Sequence, residues 1–149
     1  LGHKINVYDG MGCVEKSSKQ RNGCVIRNCR KARFKDGKLV GNKYFVVSLG
    51  DLNAHGETLK IAMSELAFKT GKRNVDKYRN MPLDTVNTPE DWAIIYRACT
   101  GACWAGMNNF MAGRKLKKKY TLAEILEETK GAYAGGEFRK IVLAEREAA

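Results

Sequence analysis

The sequence predicts an α+β fold, with a small antiparallel β-meander in its N-terminal third packed against three to four α-helices. Three observations carry that prediction. β-Branched and aromatic runs punctuated by Asp-Gly and Asn-Gly pairs occupy residues 1–50, and those pairs are the favoured chemistry of two-residue hairpins. After Gly50 the apolar period lengthens from strand-like to helix-like. Two later segments open with residues that cap helices.

Taken in order, Ile5 and Val7 followed by Asp9-Gly10 read as a short strand entering a tight turn. Residues 15–23 read as a polar connection that ends on the turn pair Asn22-Gly23. A strand follows from Cys24 to Cys29 with a basic continuation through Phe34, then the turn Asp36-Gly37 and the pair Leu39-Val40. Tyr44 to Leu49 is the strongest strand by β-branched and aromatic content, and residues 50–57 read as the loop beyond it. Leu59, Ala62, Met63 and Leu66 then recur at helical spacing, predicting a helix over 57–69 that stops at Gly71.

Residues 70–87 are polar and irregular around Pro82. Thr88-Pro89-Glu90-Asp91 supplies an N-cap, a proline in the first turn and acids facing the helix dipole. That helix carries Trp92, Ile95, Tyr96, Cys99, Ala102 and Cys103 on one face and extends to about Ala112, bent or closely packed at Gly101 or Gly106. Thr121 with Glu124 forms a capping box for a helix bearing Leu122, Ile125 and Leu126 that stops near Gly131. After Gly135-Gly136 comes a last helix with Phe138, Ile141 and Val142. No linker is long enough to divide the chain, so a single domain is expected over 1–149, with a basic β-rich part (1–50) and a mainly helical part (51–149).

Charge is the most uneven property of the sequence. The net charge is +11, and residues 1–50 hold 11 Lys/Arg against Asp9, Glu15 and Asp36, so +8 of it lies there. Such a field favours polyanions. Leu1-Gly2-His3-Lys4 lacks the apolar core of a secretory signal, and no run of about 20 apolar residues could cross a membrane. The five cysteines are odd in number in a chain long enough to need no disulfide, which points to reduced thiols and an intracellular setting.

Reaction chemistry finds little support. Cys24 and Cys29 fall on opposite faces of one strand, and Cys99 and Cys103 on the apolar face of one helix, so packing explains all four better than zinc. His55 follows the best strand in a loop feeding a helix, where Asp51, Asn53, His55 and Gly56 could meet a ligand. The glycine spacing there matches neither a P-loop nor a dinucleotide fingerprint. Asp51, Glu57 and Asp84 do not converge by spacing, and Lys115 to Lys119 suits the end of a helix. The stronger hint is the cluster Arg27, Arg30, Lys31, Arg33, Lys35 and Lys38, a basic β-ribbon able to follow a phosphate backbone or lie on an acidic protein. On one extended strand Arg27, Lys31, Arg33 and Lys35 would share a face.

The runs Ala54-His55-Gly56-Glu57-Thr58-Leu59-Lys60, Phe68-Lys69, Tyr96-Arg97-Ala98-Cys99-Thr100-Gly101-Ala102-Cys103, Tyr120-Thr121 and Thr129-Lys130-Gly131 resemble a group of small proteins and C-terminal modules of phages, prophages and gut bacteria. The resemblance covers about residues 44–142 and leaves most of the basic segment outside. No activity is established for that group, so no catalytic residue follows from it. It implies a phage or mobile-element setting, where small non-enzymatic proteins occupy a host protein or its nucleic acid, as anti-CRISPR and other counter-defence proteins do.

The resulting expectation is a non-enzymatic inhibitor-like binding protein in the cytoplasm of a host bacterial cell. It would dock through the six basic residues on nucleic acid or on a host nucleic-acid-processing protein, without cofactor, metal or membrane, and with a homodimer left open. The alternative expectation is a binding protein or enzyme for a nucleotide or phosphorylated metabolite, working through the 50–57 loop.

Overall fold

The computed structural model describes residues 3–71 and 74–144. Its class is α+β, and the chain divides into two compact units, residues 1–73 and 74–149.

In the first unit, β1 (Ile5–Tyr8), β2 (Met11–Arg21), β3 (Cys24–Lys31), β6 (Lys43–Leu49) and β7 (Leu52–Gly56) form an antiparallel sheet in the order β1-β2-β3-β6-β7. A separate ribbon pairs β4 (Phe34–Lys35) with β5 (Lys38–Leu39). The turn pairs behave as their chemistry requires. Asp9-Gly10, Asn22-Gly23 and Asp36-Gly37 each place both central residues at positive φ, between 50° and 79°, as type I′ hairpins demand. Residues 15–21, expected as a connection, instead continue β2 and pair with β3. Their side chains are all exposed, so no apolar alternation marks the strand; backbone pairing alone holds it. The register slips between Glu15 and Ser17, a β-bulge at Lys16 of the kind that bends and twists a strand.

The two faces of the sheet bury different cores. On the outer face Cys24, Ile26, Val47 and Ala54 pack against Ala62 and Leu66 of α1 (Leu59–Lys69). On the inner face Cys13, Cys29, Tyr44 and Val46 are buried, with Tyr8 and Met11 against them. Cys24 and Cys29 thus face opposite ways. Helix α1 is capped by the Thr58 hydroxyl, which accepts from Ile61 N–H. The helix turns so closely onto β7 that a Cβ on Gly56 would stand 2.6 Å from the Ala62 nitrogen. Residues 50–57 are therefore a hairpin turn and a strand, and the β-rich part extends past residue 50 to include β7 and its covering helix.

The second unit contains β8 (Val86–Asn87), α2 (Pro89–Thr100), α3 (Trp104–Met111), β9 (Tyr120–Thr121), α4 (Leu122–Glu128) and α5 (Gly135–Leu143). The expected long helix is two. Gly101, at φ 75°, caps α2 in the left-handed conformation, and α3 restarts from Cys103 as its N-cap. Cys103 is consequently exposed, whereas Cys99 stays buried. The capping box at Thr121 and Glu124 forms in both directions. Trp92, Tyr96, Leu122, Leu126, Phe138 and Val142 build the core of this unit, with the Tyr96 and Phe138 rings 4.9 Å apart. Trp92 Nε1 donates to Tyr120 O at 2.8 Å, tying α2 to β9. Among the described residues, no helix is long and apolar enough to cross a membrane.

Phe138 is fully buried at the contact of α2 and α5. Replacing it with Ala should lower unfolding free energy in urea by about 3–5 kcal/mol, while Phe138→Leu should cost under about 1.5 kcal/mol. A small loss for Phe138→Ala would contradict this packing.

Candidate functional site

The six basic residues separate into two groups once the sheet has formed. Arg27 lies on the inner face, where Nε pairs with Glu15 at 3.0 Å and Nη1 donates to Ser48 Oγ at 2.8 Å. Ser48 in turn donates to Asn53 Oδ1 at 2.5 Å, and the guanidinium stacks 4.5 Å above the centroid of Tyr8. With its side chain 18% exposed, Arg27 is an internal cross-link of four strands. Arg30, on the outer face, gives its Nε–H to Gly41 O at 2.8 Å.

Lys31, Arg33, Lys35 and Lys38 remain. All four are exposed, and none forms an ion pair among the described residues. They do not share one strand. β3 ends at Lys31, where Arg33 N–H donates back to Lys31 O at 2.7 Å and turns the chain into the β4–β5 ribbon. In that ribbon Lys35 stands directly opposite Lys38, a like-charge pairing that destabilises a hairpin. Phe34 of the same strand is 41% exposed.

The residues expected to form a ligand loop are also distributed by the fold. Asp51 is exposed in the turn between β6 and β7, Gly56 lies under α1, and Asn53 belongs to the Arg27 network. His55 faces inward on β7, its Nδ1 2.5 Å from Asp9 Oδ2. Lys69 at the end of α1 donates to the other oxygen of Asp9 and to Asn53 O. Asp9 lies in the turn after β1, at the opposite edge of the sheet from β7, so this cluster joins the two edges. Sequence spacing offers no signal for it, because 46 residues separate Asp9 from His55 and 60 separate it from Lys69.

Burial raises the Asp9 pKa, but hydrogen bonds and charge from Lys69 and His55 outweigh it and hold the carboxyl below its ordinary 3.8. Next to this cluster, burial pushes the Cys29 thiol far up, and its hydrogen bond to Cys13 adds to the rise. Burial acts on the Tyr44 hydroxyl in the same direction. The Cys29 thiol is a neutral packing group at physiological pH, unsuited to nucleophilic attack. Among the described residues no three His, Cys, Asp or Glu side chains are grouped to hold a metal ion.

Compared with known proteins, the chain matches no family model, no curated protein and no solved structure. The resemblance to phage and gut-bacterial modules therefore rests on the motif residues alone, several of which have architectural duties. Gly56 admits α1, Gly101 ends α2, and Thr121 caps α4.

A carboxyl held below its ordinary pKa contributes stability above the unfolded value, lost as pH falls through the folded one. Stability from Asp9 should therefore be complete at neutral pH and decline below about pH 4. Asp9→Asn should remove about 1 kcal/mol at pH 7 and flatten that acid dependence, measured by urea unfolding from pH 7 to 3. An Asp9→Asn curve parallel to the unmodified one would refute the role.

Proposed function

We propose that the first unit is a non-catalytic nucleic-acid-binding module that uses Lys31, Arg33, Lys35 and Lys38 to contact phosphates. The observation that carries this reading is the state of those four cations, exposed and without ion pairs among the described residues, with Lys35 set against Lys38. A phosphate placed between two opposed lysines relieves their repulsion and releases the counterions condensed on the nucleic acid. Phe34, exposed between Arg33 and Lys35, offers a ring on which an unpaired base can stack, which favours a single strand over a duplex.

The charge balance supports the same assignment. Residues 1–73 hold 15 Lys/Arg against 6 Asp/Glu, whereas residues 74–149 hold 12 against 10. Arg27 and Arg30 take part only indirectly, by holding the strands that present the ribbon. In a phage or mobile-element setting such a module would act by covering host nucleic acid in the bacterial cytoplasm, a counter-defence mode that needs no reaction.

Fluorescence anisotropy with labelled single-stranded and duplex oligonucleotides over a range of salt tests the proposal. The unmodified chain should bind the single strand more tightly, with affinity falling steeply as salt rises. Changing Lys31, Arg33, Lys35 and Lys38 together to Gln should cost at least about tenfold and reduce the logarithmic salt slope by about 3, leaving the fold intact. An unchanged affinity and slope in that variant would overturn the assignment, as would no binding by the unmodified chain. Binding only to an acidic protein surface would reassign the same cations to a protein partner.

A further inference from the structure

We propose that the helical unit holds a binding site for a small, neutral, apolar molecule with an aromatic body. The site shares no residue with the nucleic-acid module. Because α2 stops at Gly101 and α3 sets off anew from Cys103, a cavity of about 500 Å³ opens between α2, α3 and α4. Its walls include Trp92, Tyr96, Met107, Phe110, Met111 and Ile125. That volume and an aromatic, apolar lining are those of a small-molecule site. Ring faces and two thioethers favour a flat, polarisable body, since rings stack on rings and sulfur contacts ring edges. The apolar wall continues to the mouth, where Leu116 is 45% and Tyr133 79% exposed. Large apolar side chains gathered at a concave rim mark a binding surface, as singly scattered ones do not.

The polar groups of the wall specify a neutral occupant. Among the described residues the charged lining is Arg114 and Glu128, which pair with each other at 2.8 Å, with the guanidinium 4.0 Å above the Phe110 ring. The uncharged polar groups are likewise committed inside the unit. The Tyr96 hydroxyl donates to Tyr133 O, and the Thr129 hydroxyl donates to Ile125 O at 2.8 Å. Tyr120 accepts from Lys117 N–H at its hydroxyl and from the Trp92 indole at its carbonyl. Cys103 Sγ accepts from Gly106 N–H at 3.3 Å. A charged ligand would exchange its water for a wall whose two charges already neutralise each other, a loss that nothing there offsets. A neutral apolar ligand escapes that cost and gains dispersion contacts along the rings and thioethers.

The test uses the full chain with two probes of the same ring body, neutral phenylnaphthylamine and anionic anilinonaphthalene sulfonate. Cys103 lines the cavity and is the one exposed cysteine of five, so its alkylation by iodoacetamide reads this site and no basic surface elsewhere. The neutral probe should bind saturably and slow that alkylation. The sulfonate should need a concentration at least about tenfold higher for equal protection. Met111→Trp, which fills the cavity, should weaken the neutral probe by about tenfold or more. Failure of the neutral probe to protect Cys103 in the unmodified chain would overturn the site, as would full affinity in a folded Met111→Trp variant. Equal protection by the sulfonate would overturn the neutral class of ligand. A chain that sediments as a dimer and loses Cys103 reactivity as it associates would give the groove to a second copy and overturn the proposal. Should Met111→Trp fail to fold, the two probes on the unmodified chain decide the matter: selective protection by the neutral one supports the site, and an unchanged rate rejects it.

Discussion

Curling a five-stranded sheet until its edges approach brings two distant sets of polar groups face to face, and the Asp9 carboxylate is the group that joins them. It sits in a type I′ turn whose backbone is set by Asp9-Gly10, and it accepts from His55 on β7 and from Lys69 on α1. Much else in the first unit depends on that closure. With the edges joined, Cys13, Cys29, Tyr44 and Val46 are enclosed, and Arg27 is drawn inward to Glu15, Ser48 and Tyr8. Buried polar groups are tolerable only when satisfied, and this network satisfies the guanidinium by an ion pair, a hydrogen bond and a ring face.

The same closure determines which charges are available to a partner. Arg27 and Arg30 are taken up by strands and a neighbouring carbonyl, whereas the β4–β5 ribbon lies outside the curled sheet and its lysines form no ion pair among the described residues. Composition alone cannot make that distinction, since six cations within a dozen residues carry equal weight in a charge count. A charge consumed inside the fold adds little to long-range attraction for phosphate, and one set opposite its like on a narrow ribbon gains most from a counter-anion.

The helical unit follows a different logic. Its caps are local and strong, at Thr88, Gly101 and Thr121, and they set where helices begin and stop. What the caps do not set is the space between helices. The break at Gly101 separates α2 from α3, so the apolar stripe that would have continued along one helix instead lines a cavity and leaves Cys103 at its wall. The basic segment beyond α3 supplies ion-pair partners to α4, Arg114 to Glu128 and Lys117 to Glu124.

The sequence by itself determined the fold class, the three Asx-Gly hairpin turns, the start of α2, the capping box of α4 and the concentration of positive charge near the N-terminus. Each of these is decided by chemistry within a few residues, a positive φ, a side chain reaching a backbone N–H, or a local count of charge. Only the tertiary structure decided that residues 15–21 and 52–56 are strands, because their pairing partners rather than their own composition hold them extended. It also decided that His55 meets Asp9 and Lys69, that Arg27 turns inward, and that a cavity opens beside Gly101. Those outcomes depend on how a sheet curls and how helices diverge, and such long-range geometry leaves no periodic trace in the order of the residues.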